Sequence, residues 1–256
     1  MNLKEYLNNK KNITERVFRE KCYKCFRPKK NCFCTSLKHI ETNSEFVILM
    51  HPMEAKKVKI GTARLANVCL NNCRIIQGVN FTEDNEVNSI INSEQYYSMV
   101  LYPGESSHNI TLAPIEKKII SNKKLLFFII DGTWANAKII MRESKNIQKL
   151  SRISFSTSNL SKFSIKHQPD KFCLSTIESI YYLLDSLNKW DIESLNSSHD
   201  ELNHALKMLV DFQVKCAEDP TIESYRRSGG FKKSGERKAS KKWKTRSICY
   251  DEKNYK

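Results

Sequence analysis

Short apolar runs alternate with longer amphipathic windows along the middle of this chain. Residues 46–50, 99–102 and 125–130 are continuous apolar runs, each followed by polar or turn-forming residues. Such runs are typical of strands buried on both faces of a parallel sheet. Residues 62–70 and 133–144 carry apolar side chains at helical spacing instead. This alternation predicts an α/β fold, a mostly parallel sheet with flanking helices, in which ligands bind beyond the carboxyl ends of the strands.

The last amphipathic window predicts a helix over residues 198–216. Its apolar positions share one stripe, formed by Leu202, Ala205, Leu206, Leu209 and Phe212. Ser198 and Glu201 stand three residues apart, the spacing of a capping box, so we expect the helix to begin there. A chain of 256 residues accommodates one main domain with a small appendage.

The charge of the chain indicates a polyanionic partner. Lys and Arg together number 43 against 28 Asp and Glu, a net charge of +15. The alternative is a general bias toward Lys, Asn and Ile that raises the charge without a partner. The first twenty residues show no leader, and the longest apolar run, residues 125–130, is too short to span a bilayer. We therefore expect a soluble, cytoplasmic protein with no membrane partner and no DNA partner.

Four of the nine cysteines lie within thirteen positions, as Cys22-x-x-Cys25 and Cys32-x-Cys34. In a reducing compartment this spacing predicts a tetrathiolate zinc site, with two disulfides or unliganded thiols as the alternative. All four ligands come from the protein, so the zinc would be structural. We assign residues 15–40 to this zinc knob. Its basic residues make it a candidate RNA contact: Arg16, Arg19, Lys21, Lys24, Arg27, Lys29 and Lys30.

The segment after the first apolar run carries polar groups to a predicted sheet edge. Pro52 restricts His51 to extended or turn backbone, so His51 and Glu54 are expected to point from a loop. Thr62 and Arg64 open the next helix, where N–H groups and a guanidinium suit an anion. The alternatives are a structural histidine and an arginine exposed to solvent.

Two further sheet-edge segments follow the other runs. Tyr102-Pro103-Gly104 is either a plain turn or a close backbone approach to a ligand. Asp131-Gly132-Thr133-Trp134 ends the third run, and Asp131 either caps the following helix or presents a carboxylate to a substrate. Trp134 would stack on a base or on adenine, or pack behind the strand.

Two segments near the end of the chain complete the pattern. Ser175 and Glu178 have the spacing of a capping box, which is their plain interpretation. Residues 41–217 form the predicted main domain, and residues 218–256 a basic, flexible tail. Ten Lys and Arg between residues 226 and 246 suggest an arm that follows phosphates, with an idle solvated tail as the alternative.

Together these motifs resemble the DTW-domain family, from residue 19 to residue 187. The matching segments, in order, are Cys22-x-x-Cys25-x-Arg27-Pro28 with Cys32-x-Cys34, His51-Pro52-x-Glu54, Thr62-x-Arg64-Leu65, Leu101-Tyr102-Pro103-Gly104, Asp131-Gly132-Thr133-Trp134, Gln168-Pro169 and Leu174-Ser175-Thr176-x-Glu178. The family is related to SPOUT-like RNA-modifying enzymes, which implies a knotted cofactor-binding region. Lys166-His167 departs from the Arg-Lys pair expected there, so a bidentate phosphate contact is in doubt.

The resemblance implies a tRNA-uridine aminocarboxypropyltransferase. Such an enzyme moves the 3-amino-3-carboxypropyl group of S-adenosylmethionine to N3 of a uridine in tRNA and releases methylthioadenosine. Asp131, Thr133 and Trp134 would then be catalytic, with Asp131 as the base. The expected donor-binding residues are His51, Glu54, Thr62, Arg64, Tyr102, Pro103, Gly104, Ser175, Thr176 and Glu178. The alternatives are a SPOUT-type RNA methyltransferase and a non-catalytic zinc and RNA-binding module.

Overall fold

Six strands pair in parallel within the part of the chain that the computed structural model describes, namely residues 20–56, 61–120, 122–165 and 173–219. The strands are β1 (Glu45–Met50), β2 (Cys73–Gln77), β3 (Tyr96–Leu101), β4 (His108–Asn109), β5 (Lys124–Asp131) and β6 (Ser151–Ser154). Their spatial order is β2-β1-β5-β3-β6-β4. The chain therefore lays down β1 and β3 first and later inserts β5 between them, which brings three strand ends to one edge.

Helices cover both faces of this sheet. They are α1 (Pro52–Ala55), α2 (Thr62–Cys69), α3 (Asn85–Ile91), α4 (Lys117–Ile120), α5 (Trp134–Glu143), α6 (Lys145–Gln148), α7 (Thr176–Lys189) and α8 (Asp200–Glu218). Two short 3-10 turns, Lys29–Asn31 and Cys34–Ser36, precede β1. Helices α2, α7 and α8 pack together on one face, whereas α3 and α5 contact the sheet and α6 packs on α5.

The alternation of side chains along each central strand divides the core into two layers. Phe46 and Ile48 of β1 pack with α2, α7 and α8, while Val47 and Leu49 pack with α3 and α5. Because these strands are covered on both faces of the sheet, the side chains that point to either face are buried, which explains the uninterrupted apolar runs. The predicted α/β fold with a parallel sheet is thus confirmed, and the knot stays a prediction.

The predicted central strands and helices are confirmed, but three strands of the sheet were missing from the prediction. The three apolar runs form β1, β3 and β5, and the windows at residues 62–70 and 133–144 form α2 and α5. The strands β2, β4 and β6 were not predicted, because β2 and β4 are sheet edges and β6 spans only four residues. Within the described ranges, no helix has the length and apolar character needed to cross a membrane.

The capping box predicted at Ser198 is wrong, although the helix exists. Helix α8 begins at Asp200, and His199 precedes it without a side-chain cap. Glu201 instead accepts the backbone N–H of Lys38 at 3.1 Å and contacts His204. The Glu201 carboxylate therefore binds a residue distant in sequence instead of capping its own helix.

Candidate active site and metal centre

Four cysteine sulfurs converge near the start of the described chain. The Sγ atoms of Cys22, Cys25, Cys32 and Cys34 all lie within 4.8 Å of one another. Cys22 and Cys34 are 3.9 Å apart, and Cys25 and Cys32 are 3.7 Å apart. Zn–S bonds of about 2.3 Å in a tetrahedron place sulfurs about 3.8 Å apart, so the residues fit a structural zinc ion.

Hydrogen bonding and burial shift the pKa values of these thiols in different directions. The backbone N–H of Cys25, followed by that of Lys24, lowers the pKa of Cys22 to about 6. Burial raises the pKa of Cys25 to about 11, and burial also raises the pKa of Cys34. The lowered pKa favours the thiolate form of Cys22, whereas the raised pKa values of Cys25 and Cys34 mean that a bound cation is needed to hold these two thiols deprotonated.

The described part of the predicted zinc knob, residues 20–40 and here termed the cysteine knob, packs into the main core. Cys25, Phe33 and Leu37 are buried in the same apolar cluster as the sheet. Arg27 is buried as well, with its guanidinium 4.1 Å from the Phe33 ring centroid and 4.8 Å from that of Phe212. Arg27 is therefore unavailable to RNA, and the prediction that it belongs to a basic contact surface is wrong.

The end of β1 and the end of β5 meet at one point of the sheet edge. Met50 pairs with Asp131, and the backbone N–H of His51 donates to the Asp131 carbonyl at 2.9 Å. His51 has extended backbone as predicted, but it caps the short helix α1, and its Nδ1 accepts the N–H of Met53 at 3.2 Å. Glu54 therefore projects from a helix rather than from a loop.

Asp131 turns its side chain toward helix α7. Its Oδ1 accepts the hydroxyl of Thr176 at 2.6 Å, and Thr176 is the first residue of α7. Thr133, not Asp131, caps α5 by accepting the Asn136 N–H at 3.3 Å. The interpretation of Asp131 as a helix cap is therefore wrong. Its carboxylate stands instead at a helix N-terminus, where the helix dipole favours negative charge.

Arg64 extends the site on the side of the cysteine knob. It is only 7% exposed, so the alternative of an exposed arginine is wrong. Its Nη2 donates to the Ala55 carbonyl at 3.2 Å, and its guanidinium lies 4.1 Å from the Phe26 ring centroid. Burial lowers the pKa of Arg64, and the negative charge of Asp131 opposes that shift. Thr62, the first residue of α2, is buried two residues before Arg64.

Trp134 occupies the first turn of α5 and is half-buried. Its indole N–H donates to the sulfur of Cys173 at 3.1 Å, which links α5 to the segment leading into α7. This hydrogen bond fixes the orientation of the Trp134 indole. Helices α5 and α7 both begin beside the end of β5.

Ser175 and Glu178 form the capping box predicted from their spacing. Glu178 is 3% exposed and accepts the N–H of Lys162 and the hydroxyl of Ser161 as well as both donors of Ser175. The carboxylate thus ties the loop at residues 161–162 to the start of α7, and its oxygens are occupied by protein donors.

The loop after β3 lies beside Arg152, a cation that no sequence motif singled out. The guanidinium of Arg152 in β6 lies 5.6 Å from the Tyr102 ring centroid. A Cβ at Gly104 would approach Arg152 Nη1 to 2.9 Å, so the close approach expected at Gly104 is made to a side chain. Pro103 lies between them in this loop. Arg152 sits in a short polar strand, and the strand order alone brings it to Tyr102.

The structure thus brings His51, Arg64, Asp131 and Thr176 together around the ends of β1 and β5. Tyr102, Pro103 and Gly104 lie on the other side of β5, after β3. Residues 166–169, which include Lys166-His167 and Gln168-Pro169, and the basic tail from residue 220 lie outside the described residues.

Comparison with known proteins gives a consistent set of matches. A family model described as "DTW domain" matches residues 19–214. Three similar proteins are each named "tRNA-uridine aminocarboxypropyltransferase 2". The Macaca fascicularis protein is 30% identical over 203 residues, and the Mus musculus protein is 28% identical over 201 residues; each alignment covers 77% of this chain. The Drosophila melanogaster protein is 32% identical over 168 residues, or 63% of this chain. The chain spans 64% of the length of each of these relatives. No solved structure matches it significantly.

Proposed function

Because this chain belongs to the DTW domain family, we propose that it transfers the 3-amino-3-carboxypropyl group from S-adenosylmethionine to N3 of a uridine in tRNA. The product that leaves is methylthioadenosine. Three relatives at 28–32% identity carry the name of this activity, which supports the proposal. The structural observation that carries it is the Asp131 carboxylate, which the Thr176 hydroxyl holds at 2.6 Å at the meeting point of two strand ends.

The reaction needs a base, and Asp131 fills that role in our proposal. Its carboxylate accepts the N3 proton of the uridine, and N3 then forms a bond to the γ-carbon of the methionine portion. The bond from that carbon to the sulfonium breaks, and sulfur keeps the electron pair. Thr176 and the N-terminus of α7 hold the carboxylate in one orientation, which favours proton transfer along a fixed direction.

The neighbouring side chains bind the donor in this proposal. The Arg64 guanidinium pairs with the donor carboxylate, since a guanidinium has five N–H donors and the Ala55 carbonyl takes one. Glu54 is next to Ala55, whose carbonyl Arg64 contacts, and it is the group that we assign to the donor ammonium. Trp134 stacks on the target base or on adenine, with Thr133 capping the helix beneath it.

Zinc at the four cysteines would join two segments of the knob to each other in this proposal and would supply folding free energy rather than chemistry. Binding of tRNA draws on the net charge of +15, to which the basic tail contributes. We propose the cytoplasm as the compartment, because thiols that hold zinc stay reduced there.

The test is to incubate the zinc-loaded chain with S-adenosylmethionine and unmodified tRNA, and to identify the nucleoside and the sulfur by-product by mass spectrometry. Aminocarboxypropyluridine with methylthioadenosine supports the proposal. A methylated nucleoside with S-adenosylhomocysteine would identify a methyltransferase instead, and no product would leave a binding module.

An isosteric variant tests the base. Asp131→Asn is expected to lower the transfer rate by about 100- to 10,000-fold, the contribution of a positioned general base, while tRNA affinity is unchanged. Asp211→Asn, at an exposed position of α8, is the matched control and should keep full activity. Transfer by Asp131→Asn within threefold of the wild-type rate would remove Asp131 from this role.

A further inference from the structure

The first turn of the cysteine knob displays aromatic rings that the core does not use. Tyr23 is 90% exposed and Phe26 is 40% exposed, although aromatic side chains normally bury most of their surface. We propose that this turn is an RNA-docking surface on which Tyr23 stacks against an unpaired base of the tRNA. The inference rests on the proposed function, because that function makes tRNA the partner.

The turn is rigid, so it presents the ring at little entropic cost. The Cys22 N–H donates to the Arg27 carbonyl at 2.7 Å, and the Phe26 N–H donates to the Cys22 carbonyl at 2.8 Å. Phe26 has a positive φ of 61°, a conformation that few non-glycine residues adopt, and ligand cysteines on either side hold it there. A ring on a fixed backbone loses little freedom when a base stacks on it.

The charge around Tyr23 suits a phosphate backbone. Lys21, Lys24 and Lys30 are exposed, and Glu20 is the only acidic residue between positions 20 and 40. Glu20 pairs with Lys29 at 3.0 Å, which leaves the charge of the turn strongly positive. Cations that alternate with an exposed aromatic ring are the combination that binds single-stranded nucleic acid.

The surface continues into the candidate active site. The Phe26 ring lies against the Arg64 guanidinium, and the negative charge of Asp131 is near enough to Arg64 to oppose the lowering of the Arg64 pKa by burial. Tyr23 is three residues from Phe26, so a base stacked on Tyr23 is close along the chain to the ring that contacts Arg64. We infer that the docked nucleotide lies outside an intact duplex, because a ring reaches only a base with an open face.

The experiment measures the affinity of the zinc-loaded full chain for fluorescently labelled, unmodified tRNA by anisotropy. Tyr23→Ala is expected to weaken binding about 5- to 150-fold, the range produced by removing one base-stacking aromatic residue. Tyr23→Trp keeps a stacking surface and should bind within about threefold of the wild type. Leu112→Ala, at another strongly exposed apolar position, is the control and should change nothing.

A second variant tests the charge of the surface. Lys24→Gln should reduce the slope of log affinity against log salt by about 0.7–0.9, whereas Lys207→Gln in α8 should leave the slope unchanged. Zinc content and the melting temperature of Tyr23→Ala should equal those of the wild type, because its side chain contacts little of the fold.

The outcomes separate this inference from the proposed transfer activity. Unchanged tRNA affinity of Tyr23→Ala would overturn the docking surface even if the wild type transfers the aminocarboxypropyl group. Weakened affinity in Tyr23→Ala, with Tyr23→Trp and Leu112→Ala unaffected, would support the surface even if the wild type shows no transfer.

Discussion

Glu178 offers a sharp test of whether a motif residue supports the fold or binds the donor. Its two carboxylate oxygens accept different backbone donors: Oε1 takes the Lys162 N–H at 2.6 Å, and Oε2 takes the Ser175 N–H at 2.8 Å. A glutamine has only one oxygen, so in Glu178→Gln its NH₂ group must face one of these two N–H groups. The hydroxyls of Ser161 and Ser175 can rotate to accommodate an amide, but a backbone N–H cannot.

The expected cost follows from this geometry. The variant loses a hydrogen bond to a buried charged acceptor and leaves one buried N–H unpaired, which together cost about 2–4 kcal/mol of unfolding free energy. For a domain of this size, that loss lowers the melting temperature by about 4–16 °C. Below the melting transition, KM for S-adenosylmethionine should stay close to the wild-type value, because the carboxylate is engaged within the protein.

Thermal unfolding followed by circular dichroism measures the effect on stability, and initial rates measure KM. Glu143→Gln is the matched control, since this glutamate is partly exposed beside Arg142 and its loss should change stability by less than about 0.5 kcal/mol. A melting temperature within 2 °C of the wild type, combined with a tenfold rise in KM, would show that Glu178 binds the donor and that the structural reasoning is mistaken.

Two other predictions concern the active site and the metal. Thr176→Val removes the hydroxyl that donates a hydrogen bond to Asp131, and it should lower the transfer rate about 10- to 100-fold. Thr176→Ser keeps the hydroxyl and should stay within threefold of the wild-type rate. Equal rates of Thr176→Val and the wild type in single-turnover assays would contradict an orienting role. Cys25→Ser should reduce bound zinc and lower the melting temperature by about 10 °C or more, because Cys25 belongs both to the metal site and to the core. Cys69→Ser lies away from the cysteine cluster and should keep its zinc. Full zinc retention by Cys25→Ser would refute the tetrathiolate site.

Sequence proved sufficient at two sites whose partners are close along the chain. The capping box of Ser175 and Glu178 spans three residues, and the four cysteines span thirteen positions, so local backbone geometry brings each set together. The central strands were also predictable, because burial on both faces of a parallel sheet permits only apolar residues. The strand β2 escaped prediction because, at a sheet edge, it buries only Ile76 of its five residues.

The remaining features depended on strand order, which no local pattern contains. Asp131 and Thr176 are 45 positions apart, and they meet because β5 inserts between β1 and β3 beneath the start of α7. The same packing buries Arg64 against Phe26, and it gives Glu201 a partner at Lys38 in place of a helix cap. The sequence by itself therefore determined the central strands, the cysteine cluster and the capping box of Ser175 and Glu178, and it supplied the candidate site residues. Only the tertiary structure decided which of them meet, because contacts between distant residues form when the layers of the sheet and helices pack together.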